Sequence, residues 1–108
     1  MHQSAPHIYA TVLQALNLPF GSSFLNIGSG TGYLSTIAGV LLGPSGVNHG
    51  VELEPNNVDF ARRAVAEYLD QCIPPFAVPV FKQGHILDMD VINSRKYTRI
   101  YCGLHQEN

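Results

Sequence analysis

The sequence predicts an α/β domain built on a parallel, doubly wound sheet. Three observations carry that prediction. Short apolar runs at 23–27 and 47–51 alternate with segments of helical periodicity. Three glycines at alternate positions, Gly28, Gly30 and Gly32, join the first run to a helix. An acid, Glu52, follows the second run at a distance from Gly32 that suits a carboxylate holding a ribose. Strands that alternate with helices imply right-handed crossovers. The ligand crevice of such a sheet lies at the carboxyl ends of its strands, beside the first strand. The glycine loop and Glu52 both fall there.

Residues 4–16 read as a helix, with Ser4 as N-cap and Pro6 in the first turn, where its missing N–H costs nothing. Ile8, Val12 and Leu16, with Ala15 beside them, are its expected buried face. Pro19 blocks continuation. The first strand is Ser23 to Ile27. After the glycine loop comes a helix from Tyr33 to Leu42, whose expected inner stripe is Leu34, Ile37, Ala38 and Leu41. A turn at Gly43-Pro44-Ser45-Gly46 leads into a strand from Val47 to Val51. Pro55 suits the first position of a third helix, running to about Leu69, with Val58, Ala61, Val65 and Leu69 inward. Val80 to Lys82 form a short third strand ending at Gln83-Gly84. Residues 86–93 read as a loop with one helical turn, and Tyr97 to Cys102 as a fourth strand.

A chain of 108 residues with 45% apolar and 13% charged residues suits one small globular domain. Its formal charge of −2 and the lack of a basic run argue against nucleic acid and anionic membrane as partners. No apolar stretch approaches the ~20 residues of a membrane span, and the N-terminus lacks the basic-then-apolar order of a signal peptide. Cys72 and Cys102 have no metal-ligand spacing and read as reduced thiols of a cytoplasmic protein. His2, His85 and His105 share no spacing, so no metal is assigned. His49, within a strand, reads as a hydrogen-bonded core residue.

Alternate glycines permit positive φ and let a ligand approach the main chain, and the following helix offers unpaired N–H groups. The spacing is Gly-x-Gly-x-Gly, and Tyr33 stands where a dinucleotide loop has its third glycine. No Gly-Lys-Ser/Thr is present either, which excludes an ATPase phosphate loop. A ligand without phosphates but with a ribose fits better, and S-adenosylmethionine is such a ligand. Glu54 competes for the ribose. It lies beyond the strand end, so Glu52 is preferred.

Ser4-Ala5-Pro6-His7, the stretch Phe24 to Thr36, and Tyr97 to Gly103 together resemble protein-L-isoaspartate O-methyltransferases. The run Gly43 to Leu53 and Ile100-Tyr-Cys-Gly103 are most similar to the subgroup called isoaspartyl methyltransferase domain-containing proteins. The resemblance covers about residues 4–103. It implies a Rossmann-like class I S-adenosylmethionine-dependent methyltransferase fold with helices on both faces of the sheet. It also implies that Gly28, Ser29, Gly30 and Gly32 line the methionine part of the cofactor and that Glu52 binds its ribose. Gln83-Gly84 matches an Asp-Gly step beside the adenine. The amide replaces an acid there, but its oxygen can still accept from the adenine amino group. Ser4 matches a hydroxyl residue at the substrate side, where it is expected as the catalytic residue that donates to the substrate carboxylate, with His7 as its substrate-binding neighbour. The implied substrates are proteins or peptides with isoaspartyl residues.

Methylating a carboxylate needs little acid–base help, because the acceptor is already an anion and the donor a sulfonium. Alignment and exclusion of water suffice. A full fold of this class has about seven strands, whereas four are read here. Residues 1–108 are therefore expected to form a partial methyltransferase domain, its cofactor-binding N-terminal half, that alone binds cofactor weakly and turns over little. The fourth strand is expected as an exposed edge. The subgroup also implies an alternative: a catalytically silent cofactor-binding adaptor that brings substrates to a cullin-type ubiquitin ligase through regions outside this chain.

Overall fold

The computed structural model of the chain describes residues 6–71, 75–85 and 96–103, and the side chains among these other than those of 6–8, 70 and 71. The elements are α1 (Pro6–Leu16), β1 (Ser23–Ile27), α2 (Tyr33–Leu42), β2 (Val47–Glu52), α3 (Pro55–Gln71), β3 (Val80–Gln83) and β4 (Arg99–Cys102). The strands form one sheet in the order β3-β2-β1-β4, with every pairing parallel. The chain steps outward from β1 to β3, then returns to lay β4 on the far side of β1. This reversal makes the β1–β4 boundary the switch point expected to hold a ligand.

β1 and α2 have the bounds that the sequence predicts. β4 starts at Arg99, two residues later than expected, because the residues before it serve sideways contacts. The Tyr97 hydroxyl bonds His49 Nδ1 at 2.8 Å, which gives His49 its expected partner. The Thr98 N–H donates to Ser23 Oγ at 3.0 Å. The stretch 86–93 lies outside the described residues, as does Cys72; Cys102 is a free, exposed thiol.

Register fixes which residues share a face. Phe24 pairs with Asn48, and Gly50 with Phe81. Alternate strand residues point the same way, so Phe24, Asn26, Asn48, Gly50 and Phe81 all look to one side. The described helices all lie there rather than on both faces as expected, because right-handed crossovers that step in one direction from β1 to β3 put α2 and α3 on the same side. Ala38 and Leu42 of α2 pack on Phe24, with Leu13 and Leu16 of α1 and Tyr101 of β4 against them. Val58, Ala61 and Val65 of α3 pack on Phe81. Complete burial of Phe24 and Leu42 contributes roughly 2 kcal/mol each. On the opposite face, Leu25 and Val51 are buried, whereas Val80 and Ile100 on the outer strands are mostly exposed. No described helix is long and apolar enough to cross a membrane.

The buried stripes differ from those expected. In α2 the inward residues are Leu34, Ser35, Ala38, Gly39 and Leu42, and Leu41 is 46% exposed. The helix is turned so that its small and polar residues meet the sheet. Asn26 Nδ2 donates to Ser35 Oγ at 3.1 Å. Asn48 Nδ2 donates to the carbonyls of Ser35 (2.8 Å) and Ala77 (3.0 Å). At Gly39 a Cβ would collide with the Ala77 carbonyl. In α1, Leu13 packs on the core with Leu16, while Ala15 is exposed. In α3, Val58, Ala61 and Val65 pack inward as expected, but Leu69 is 37% exposed. α2 ends at Gly43, whose φ of 76° suits a residue without Cβ.

Candidate functional site

The carboxyl ends of the strands gather most of the residues singled out in the sequence. β1 runs into the glycine loop, β2 ends at Glu52, and β3 ends at Gln83, which pairs with Glu52 in register. Main-chain hydrogen bonds carry the ladder into the loops. The N–H groups of Gly28 (2.8 Å) and Ser29 (3.0 Å) donate to Val51 O, that of Gly84 to Glu52 O (2.9 Å), and that of Gly103 to Ile27 O (2.8 Å).

The loop needs its glycines. Gly28, Gly30 and Gly32 have φ of 77°, 58° and 87°, where a Cβ is strained. At Gly32 a Cβ would also meet Phe81 Cζ at 2.7 Å and Ala61 Cβ at 3.1 Å. At Gly30 nothing among the described residues stands within 4 Å of that position, so they leave the loop's outer surface open to a ligand. Ser29 turns inward and is only 7% exposed. Its Oγ has no partner among the described residues, and its main-chain N–H and carbonyl are taken by Val51 O and the Gly32 N–H. The closeness of its Cβ explains Gly50, where a Cβ would lie 3.0 Å from it and 2.8 Å from Phe81. α2 then begins with Gly32 as N-cap and no side-chain capping bond. That leaves a positive helix end facing the crevice.

Glu52 is the first formally charged residue of the chain; no Asp, Glu, Lys or Arg precedes it. Its carboxylate is held on both oxygens. The Gly30 N–H donates to Oε1 at 2.7 Å. Oε2 accepts the Glu54 N–H at 2.9 Å and Asn57 Nδ2 at 3.3 Å. Glu54 instead opens α3: its carbonyl accepts the N–H groups of Asn57 and Val58, and its exposed carboxylate accepts that of Asn56 at 3.3 Å. The chain turn at Leu53 thus separates the two acids, one toward the loop and one toward solvent. Gln83 Nε2 donates to Leu53 O at 3.0 Å, which leaves the amide oxygen to accept from a ligand.

Tyr33 is 48% exposed and stacks on Tyr9, ring centroids 5.1 Å apart. This contact joins α1 to the start of α2 and brings the helix that carries His7 alongside the glycine loop. Ser4 lies outside the described residues, as does the side chain of His7. Sequence reasoning missed Gly50 and Asn57, which act through contacts across the fold. It also passed over the absence of charge before Glu52, which was visible.

The family model described as Protein-L-isoaspartate(D-aspartate) O-methyltransferase matches residues 1–76. A protein-L-isoaspartate O-methyltransferase of Methanocella arvoryzae is 41% identical over 63 residues, 58% of this chain and 34% of the relative. Among solved structures, a protein-L-isoaspartate O-methyltransferase superposes with a TM-score of 0.73 at 25% identity, over 93% of this chain and 29% of that one. An RNA methyltransferase from Salinibacter ruber, in complex with S-adenosyl-L-homocysteine, gives 0.72 at 20% identity, over 94% and 60% of the two chains. The fold is the Rossmann-like class I methyltransferase fold. The chain spans about a third of the length of the curated relative it matches.

Proposed function

Because the chain belongs to the protein-L-isoaspartate(D-aspartate) O-methyltransferase family, we propose that it forms the cofactor-binding part of a protein-repair enzyme. The reaction is transfer of a methyl group from S-adenosylmethionine to isoaspartyl carboxylates of damaged proteins, in the cytoplasm. The observation that carries this reading is the convergence of Glu52, the open glycine loop and the uncapped start of α2 on one crevice.

The residues fit the cofactor. Glu52 takes the ribose hydroxyls. Gly28, Ser29, Gly30 and Gly32 line the methionine part, and the positive end of α2 favours its carboxylate. Gln83 and Gly84 border the adenine, with the Gln83 oxygen as acceptor. The cofactor supplies a sulfonium-bound methyl group, and the protein's task is to hold the acceptor carboxylate in line with it and away from water. Ser4 and His7 are assigned to the substrate side from the family resemblance alone, and the Tyr9–Tyr33 stack holds α1 beside the loop.

Calorimetric titration of the 108-residue chain with S-adenosylhomocysteine, and methyl incorporation into an isoaspartyl peptide by chain and whole protein, test this. Weak binding with little turnover by the chain, and turnover by the whole protein, are expected. An absence of binding overturns the cofactor reading, and robust turnover by the chain alone overturns its assignment as a partial domain. Gln83, in place of an acid, favours a second reading: a cofactor-binding adaptor without catalysis that delivers substrates to a cullin-type ubiquitin ligase. Cofactor binding by the whole protein without methyl transfer, together with its recovery on ligase components, supports that alternative.

A further inference from the structure

The hydrogen bonds already made by Glu52 restrict how it receives a ribose. An ionised carboxylate offers about four acceptor positions, two on each oxygen. Gly30 occupies one on Oε1, while Glu54 and Asn57 occupy both on Oε2. A vicinal diol that spans the carboxylate brings two donors, one to each oxygen. Oε1 has room for its hydroxyl. Oε2 has none until a donor leaves.

The three donors are not equally replaceable. The Gly30 bond is the shortest at 2.7 Å and shapes the loop. The Glu54 donor, at 2.9 Å, is main chain in the turn that opens α3. The Asn57 bond is the longest at 3.3 Å and comes from a half-buried side chain that can rotate away. The main-chain N–H of Asn57 is bonded separately, to Glu54 O at 3.1 Å, so the helix does not depend on the amide. We propose that Asn57 is an affinity-setting residue of the ribose site: its amide competes with one ribose hydroxyl for Glu52 Oε2 and is displaced when the diol binds. This rests on the reading of Glu52 as the ribose acceptor.

The consequence runs opposite to that of an ordinary binding residue. Removing the amide frees the acceptor, so Asn57→Ala binds S-adenosylhomocysteine about three- to tenfold more tightly, the worth of one net hydrogen bond. An analogue lacking both ribose hydroxyls makes no demand on Oε2, so its affinity stays unchanged. Calorimetric titration of the wild-type chain, Asn57→Ala and Asn57→Leu with both ligands tests this. Asn57→Leu removes the donor while keeping similar volume, and thermal unfolding confirms that each variant is folded. Tightening confined to the hydroxylated ligand in either folded variant supports the proposal. Unchanged or weaker binding of that ligand, or equal tightening of both, overturns it. Glu52→Ala, titrated in parallel, separates the two levels. If it binds S-adenosylhomocysteine as wild type does, the ribose reading itself fails; if its binding is lost while Asn57→Ala fails to tighten, only the competition fails.

Discussion

Glu52 accepts the main-chain N–H of Gly30 at 2.7 Å across 22 positions of sequence. One carboxylate therefore both shapes the glycine loop and faces the crevice beside it. Glu52→Ala removes the charged acceptor, and hydrogen bonds to a charged group are worth about 1.5–3 kcal/mol. Affinity for S-adenosylhomocysteine is expected to fall by about 10- to 100-fold, read by calorimetric titration. An affinity within twofold of wild type contradicts the role given to this residue.

Gly30 and Gly32 share positive φ but not surroundings. Gly32→Ala adds left-handed strain to overlap with Phe81 and Ala61 and is expected to cost about 2–4 kcal/mol of stability. Gly30→Ala meets no neighbour within 4 Å among the described residues and is expected to cost about 1–2 kcal/mol, the strain alone. Urea unfolding measures both. Equal losses would mean that the packing beneath Gly32 does not matter.

Asn48 is 2% exposed and its amide holds two carbonyls, on α2 and on the segment before β3. Asn48→Ala strands those acceptors and opens a small cavity, a loss of about 2–4 kcal/mol. The unfolding midpoint in urea reports it, and a change under 1 kcal/mol would show that water replaces the amide freely.

Arg99 reaches from β4 to the end of α1, where Nε donates to Leu16 O at 2.8 Å. A cation at a helix carboxyl end typically contributes about 0.3–1 kcal/mol, and it acts here on a helix whose Leu13 and Leu16 pack on the core. Arg99→Gln is expected to speed hydrogen exchange in α1 severalfold while leaving β1 and β2 unchanged. Uniform acceleration across the chain would point instead to a global loss of stability.

The sheet was legible because its cues are local. Apolar runs, Pro44 and Pro55, and glycines at loop positions mark strands and helix ends without knowledge of any partner. The loop and Glu52 were legible for the same reason: a fixed spacing along one crossover. The inner face of α2 was not. Counting apolar residues selected Leu41, whereas the sheet receives Ser35 and Gly39, because Asn26 and Asn48 supply partners for a polar contact there. Periodicity registers the hydrophobicity of single residues and is blind to two polar groups that satisfy each other across layers. Asn57 escaped notice in the same way, since its importance lies in reaching back to a carboxylate on the preceding strand.

The hydrogen-bond ladder does not stop where the strands do. Val51, Glu52 and Ile27 each pass a carbonyl to an N–H of a neighbouring loop. The rim of the crevice is therefore stapled by main-chain atoms, which no side-chain replacement deletes except one to proline. Side chains such as Gln83 stand on that rim as exchangeable fittings. Recognition of the ligand's far end can drift with them while the cradle beneath keeps its shape.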